Sequence, residues 1–90
     1  MLGIRYSSQF KKDIRRLKRQ GKDLEKLQEA ILLLAKGTTL PAHYLDHSLL
    51  GQWNKYREIH IDNNWHLIYR YTEKELLLVS TSSQSELFNR

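Results

Sequence analysis

Apolar and polar positions recur with two different periods along this chain, and the change from one to the other separates a helical first half from a strand-rich second half. From Ser8 to Gln20 the apolar residues Phe10, Ile14 and Leu17 fall at helical spacing, and Gly21 supplies a stop where a left-handed residue is needed. A second helix is predicted over 24–36, with Asp23 as its cap, Leu24, Leu27, Ile31 and Leu34 as its buried stripe, and Gly37 as its stop. The two make an N-terminal helical hairpin. Ahead of it, residues 4–7 (IRYS) alternate apolar and polar and predict a short first strand.

Residues 37–52 (GTTLPAHYLDHSLLGQ) contain Gly37, Pro41 and Gly51 and show no sustained period, so they read as a loop crossing toward a sheet. The β-rich runs YREIHI (56–61), WHLIYRY (65–71) and LLLVS (76–80) follow, separated by DNN and TEKE, and predict an antiparallel meander. Alternation places Tyr56, Glu58 and His60 on one face of the first of these strands and Arg57, Ile59 and Ile61 on the other. Ser80, Thr81, Ser82, Ser83 and Gln84 read as a polar turn, after which Leu87 and Phe88 pin one helical turn or an ordered tail. Ninety residues suffice for one domain, 1–90, with one core.

Charge changes the picture of the first helix. Residues 1–36 carry ten Lys and Arg against four Asp and Glu, a balance of +6, whereas residues 37–90 carry five against six, a balance of −1. Lys11, Lys12, Arg15, Arg16, Lys18, Arg19 and Lys22 spread over an arc of roughly 160° opposite the apolar stripe. Only Asp13 opposes them within the helix, and there are no Glu partners at i,i+4 spacing. A merely solvated face and a polyanion-binding plate both fit this arc; seven cations against one Asp favour nucleic acid. Cysteine is absent, which removes disulfides, thiolate zinc sites and thiol nucleophiles and fits a reducing compartment such as the cytoplasm. The first residues lack an apolar signal region, and AILLLA (30–35) is far short of a membrane span, so no membrane partner is expected.

Three constellations could carry chemistry. His43 and His47 are four apart, but Pro41 and the loop context spoil a helical ligand pair and no third ligand is evident, so the reading is no metal and no cofactor. The serines at 80, 82, 83 and 85 lie in no nucleophile elbow. Residues 46–71 are richer: His47, Glu58 and His60 can transfer protons, Lys55, Arg57 and Arg70 can hold phosphate, and Trp53, Trp65 and the tyrosines can stack on bases. Metal-free RNA cleavage needs a base for the 2′-OH, an acid for the departing 5′-oxygen and a cation for the phosphorane. The same composition equally suits a sheet with Trp65, Leu67 and Ile68 as core and His60 as a surface residue.

The blocks DHSLLGQW, YREIHI, NNWHLIYRY and SELF, following a basic helical hairpin, resemble the YafQ branch of the RelE-like toxins over nearly the whole chain. The resemblance implies an α+β fold with the helical hairpin packed on an antiparallel sheet of about four strands. It implies a ribosome-dependent mRNA endoribonuclease of a type II toxin–antitoxin pair, needing no metal, with the basic plate on ribosomal RNA and the sheet groove facing mRNA. A cognate antitoxin would neutralise it, and operator DNA would be reached only through that complex. Carried over, His47 and His60 match catalytic histidines, Phe88 matches the aromatic that orients mRNA, and Glu58 takes a secondary acidic position. Lys55 and Arg57 are phosphate contacts on chemical grounds, although alternation aims Arg57 away from the groove. The family ending of Arg, a Gly-containing turn and His is replaced here by Ser80, Ser82 and Gln84, and the acid before the tryptophan by Asn64. Gln84 thus stands where a catalytic histidine is implied, and glutamine cannot shuttle a proton at neutral pH. Reduced activity is implied: either the toxin is naturally feeble or relies on His47 and His60 as its acid and base, or Gln84 is an introduced substitution that spares the host. The alternative from another class is a degenerate toxin that only binds antitoxin, operator or ribosome.

Overall fold

In the computed structural model, residues 1–83 are described. Seven elements follow in order: β1 (Gly3–Tyr6), α1 (Ser8–Arg19), α2 (Leu24–Lys36), β2 (His47–Ser48), β3 (Arg57–Asp62), β4 (Trp65–Tyr71) and β5 (Glu75–Ser83). Single 3-10 turns occupy Ala42–Tyr44 and Gly51–Trp53 in the connection between α2 and β3. The second helix forms where its signals place it. Asp23 accepts from the Glu25 N–H at its start, and Gly37 takes the left-handed conformation, φ 73°, that ends it without a Cβ clash.

The fold is α+β, and the sheet corrects the expectation of about four antiparallel strands in two ways. Its order is β1-β5-β4-β3-β2, and β1 runs parallel to β5, pairing Gly3–Tyr6 with Glu75–Leu78. Two helices and three strands separate β1 from the strand it pairs with, so local periodicity cannot reveal the pairing. The second correction is β2, a two-residue strand within the expected loop, with His47 opposite Glu58 and Ser48 opposite Arg57. The meander β3-β4-β5 is antiparallel as expected.

The helices cover one face of the sheet. Phe10, Leu17, Leu27, Ala30, Leu34 and Ala35 pack against Ile59, Leu67, Tyr69, Leu76 and Leu78 in one cluster of buried residues. The other face carries Glu58, His60, His66, Ile68 and Arg70, all only partly covered. Burying one face of β3 and β4 therefore fixes, by the two-residue period, which side chains reach the open face.

Ser80–Ser83 are not a turn: they complete β5, and Thr81 and Ser83 are buried. Three polar attachments explain why so polar a sequence remains extended. A bulge leaves Val79 unpaired between the Ile68–Ser80 and Tyr69–Leu78 positions, and the Ser7 hydroxyl donates to the Val79 carbonyl while accepting the Phe10 N–H that caps α1. Beyond Tyr6, β1 no longer lines this edge of β5. Its place at Thr81 is taken by two side chains of α1: Asp13 Oδ2 accepts from the Thr81 N–H at 3.0 Å, and Arg16 Nη2 donates to the Thr81 carbonyl at 3.2 Å. On the opposite side the Thr81 hydroxyl accepts from Trp65 Nε1 at 2.8 Å and donates to the His66 carbonyl at 2.7 Å.

Asp13 is only 3% exposed, and its other oxygen receives Gln9 Nε2 and Arg16 Nη1. Asp13→Ala strands the buried Thr81 N–H and the inner guanidinium, and should cost about 3 kcal/mol in denaturant unfolding. Lys11→Ala, on the exposed arc, should change stability by less than about 0.5 kcal/mol. Equal effects of the two would show that Asp13 is not the clasp between helix and strand.

Candidate active site

The open face of the sheet gathers histidines from three strands around one carboxylate. Glu58 lies between two imidazoles, with Oε1 at 3.3 Å from His47 Nε2 and Oε2 at 3.4 Å from His66 Nδ1. His60 faces His66 across the β3–β4 pair; their ring centres are 4.2 Å apart, and the His60 ring centre lies 6.1 Å from that of His47. The candidates His47, Glu58 and His60 are thus brought together. Glu58 is central to the cluster rather than peripheral.

Local structure explains each placement. Leu45 adopts φ 51°, unusual for a residue with a branched side chain and costing roughly 1–2 kcal/mol, and its carbonyl meets His47 Nδ1 at 2.7 Å. With Nδ1 donating to that carbonyl, Nε2 is the nitrogen presented to Glu58 and to a substrate. Asp46, the next residue, turns the opposite way and anchors the segment: its Oδ1 accepts from Tyr69 Oη at 2.6 Å and Arg57 Nε at 3.1 Å. Burial and this bond to Asp46 push the Tyr69 phenol far above its ordinary range, so it remains a proton donor.

The protonation of His60 differs from that of a free imidazole. Burial holds it below its ordinary value near 6.5, the neighbouring His66 and His47 rings add to the lowering, and Glu58 opposes them. The lowering favours His60 as a neutral proton acceptor near neutral pH. It opens on a cleft of about 310 Å³ bordered by His43, Leu45, Asp62 and Asn63. On the other side, Leu49, Trp53, Tyr56, Ile68 and Val79 line an apolar cavity of about 340 Å³, with the Arg70 guanidinium 5.5 Å from the Tyr56 ring centre.

Other candidates lie elsewhere. Arg57 points to the helix-covered side, where it closes on Asp46 beside a cavity of about 500 Å³. Trp65 is buried with its N–H on Thr81, so it is core and not a stacking surface; Trp53 is half exposed. Lys55 is exposed, two residues beyond Trp53. On α1, Lys11, Lys12, Arg15, Lys18 and Arg19 are exposed, as is Lys22 beyond it, while Arg16 is turned inward onto Asp13 and Thr81. Gln84 and Phe88 fall outside the described residues, as does Ser85.

His43 stacks on Tyr44, with ring centres 4.4 Å apart. His47, Glu58 and His60 each offer one donor atom, all within 4.8 Å of one another. A tetrahedral zinc with bonds of about 2.0–2.1 Å needs its donors about 3.4 Å apart, so this set would have to draw together to hold one. The residue that sequence reasoning missed is His66. Its signal was present: His60 and His66 stand symmetrically about Asn63, the centre of the DNN turn, and therefore face each other across the hairpin.

The sequence matches, over residues 2–89, the family described as bacterial toxin of type II toxin-antitoxin system, YafQ. The mRNA interferase toxin YafQ of Escherichia coli K12 is 41% identical over 86 residues, covering 94% of each chain. Among solved structures, YafQ in the E. coli DinJ-YafQ toxin-antitoxin complex superposes with a TM-score of 0.87 at 39% identity, covering 97% of both chains. A metal-bound toxin from Helicobacter pylori gives a TM-score of 0.88 at 38% identity, covering 98% of this chain and 100% of that one.

Because burial and two neighbouring imidazoles disfavour its charged form, His60 should titrate with a midpoint below 6.5 in a histidine-resolved NMR titration of the folded protein. A midpoint above 6.5 would mean that Glu58 outweighs them, and would remove His60 as the resting base.

Proposed function

The chain belongs to the YafQ family of bacterial type II toxins, and from that premise we propose that its open-face cluster of His47, Glu58 and His60 is the site at which it cleaves messenger RNA. The activity is that of an mRNA interferase, an endoribonuclease acting on translated message. A cognate antitoxin is its protein partner, as DinJ is for the E. coli toxin. No helix among the described residues is long and apolar enough to cross a membrane, and we place the protein in the cytoplasm because its substrate is translated there.

The observation that carries the site assignment is the gathering of His47, Glu58 and His60 on the open face, with their donor atoms all within 4.8 Å of one another. His60, held neutral, takes the 2′-OH proton as the 2′-oxygen attacks phosphorus. His47, with Nδ1 bound to the Leu45 carbonyl and Nε2 beside Glu58, is the acid that protonates the departing 5′-oxygen. Glu58 Oε1, 3.3 Å from Nε2, fixes the His47 ring. The products are a 2′,3′-cyclic phosphate and a free 5′-hydroxyl. Ring centres 6.1 Å apart can reach the two oxygens flanking one phosphorus.

Cations to offset phosphorane charge are sparse in this cluster: Arg70 lies over Tyr56, Arg57 faces away, and position 80 is Ser. The chain therefore depends on the ribosome to complete the electrostatics, with Lys11, Lys12, Arg15, Lys18, Arg19 and Lys22 as its contacts to ribosomal RNA.

Cleavage of mRNA on programmed ribosomes, mapped by primer extension, tests the reading. His47→Ala and His60→Ala should each lower the rate about 10²- to 10⁴-fold, and Gln84→His should raise it by a similar factor. If neither the chain nor its Gln84→His version cuts while both bind antitoxin, the protein is a binding module and the nuclease assignment fails.

A further inference from the structure

We propose that His66 is a positioning residue of this site, its ring backing His60 and its Nδ1 anchoring Glu58, so that the acid–base pair is held from the β4 side. The proposal rests on the nuclease reading above and adds to it a residue which that reading leaves without a role.

Three observations carry it. His66 is directly opposite His60 in the β3–β4 register, and the two ring centres are 4.2 Å apart with 43° between their planes. Its Nδ1 lies 3.4 Å from the Glu58 oxygen that His47 does not use, so the carboxylate is held between two imidazoles instead of swinging freely. The third is a cost: His66 Nε2 is buried and has no hydrogen-bond partner among the described residues. A stranded polar atom weakens the fold, and an apolar side chain of similar size would avoid it. The ring is justified by what its other nitrogen and its face do for Glu58 and His60. Its backbone is equally constrained, since the His66 carbonyl receives the Thr81 hydroxyl and Ser82 lies beside it in register. The lowered proton affinity of His60, to which the His66 ring contributes, accords with this placement.

A residue that merely fills space and one that positions catalytic groups respond oppositely to replacement. His66→Leu keeps the bulk, removes the unpaired nitrogen and removes the hold on Glu58. His66→Asn places an amide N–H close to where Nδ1 stood and restores that hold. Both are to be made in the chain as it is and in the Gln84→His background, with kcat and KM for ribosomal cleavage measured alongside Tm. The expected result for His66→Leu is a kcat at least ~10-fold lower with KM within about 2-fold, together with a Tm raised by about 4–8 °C. His66→Asn should recover most of the lost rate.

His66→Leu cutting at the parental rate would overturn the proposal. So would a parallel loss of rate and Tm that His66→Asn does not repair, which is the behaviour of a packing residue. Absence of cutting by every chain, the Gln84→His parents included, would bring down the nuclease reading and this proposal with it; differences within an active parent judge His66 alone.

Discussion

The carboxylate of Asp13 is the contact on which the placement of this site depends. It is buried on a helix otherwise crowded with cations, and it is satisfied by Gln9, Arg16 and the backbone of Thr81. Together Asp13 and Arg16 supply the donor and acceptor that a neighbouring strand would have supplied to β5, where β1 has already ended. A buried charge is tolerable only when fully paired, and this one is. The consequence reaches the open face through Thr81, whose hydroxyl binds both the Trp65 indole and the His66 carbonyl. One acidic residue of the first helix thus fixes the end of β5 and, through it, the strand that carries His66.

The two faces of the sheet have divided the work of folding and chemistry. On the helix side, Ile59, Leu67 and Tyr69 are almost completely buried and supply the apolar area that stabilises the domain. On the opposite face and in the connection leading to it the chain accepts features that weaken it: a nitrogen on His66 with no partner among the described residues, and Leu45, before β2, in a left-handed conformation. Both features border the Glu58 cluster. Strain and unsatisfied polar atoms are tolerated where the surrounding structure over-determines them, and here the surrounding structure is the Asp46–Arg57–Tyr69 network on the other side of the same strands.

Much of this was legible in the chain. Helical periodicity and the Asp23 and Gly37 signals placed α2 at its observed ends, and two-residue alternation sorted Glu58 and His60 from Ile59 and Ile61. Long-range pairings were not legible. The parallel pairing of β1 with β5 joins residues some seventy positions apart, and β2 is too short to carry a period. Ser80–Ser83 looked like a turn because serine favours turns locally; tertiary hydrogen bonds to Asp13, Arg16 and Trp65 override that preference. Arg16 looked like its basic neighbours for the same reason, although its partner is internal. His47, Glu58 and His60 could be named from residue type and resemblance, whereas the bridging position of Glu58 and the presence of His66 required the β2–β3–β4 register.

The central claim is that the face of the sheet opposite the helices receives the scissile linkage of mRNA. Its most direct test is a structure of this chain on a ribosome programmed with mRNA whose 2′-hydroxyls in the A site are methylated to block cleavage. The account predicts one 2′-oxygen beside His60, the adjoining 5′-oxygen beside His47, and α1 against ribosomal RNA. Message lying across the helix face, or in the cavity around Arg57 and Asp46, would contradict it.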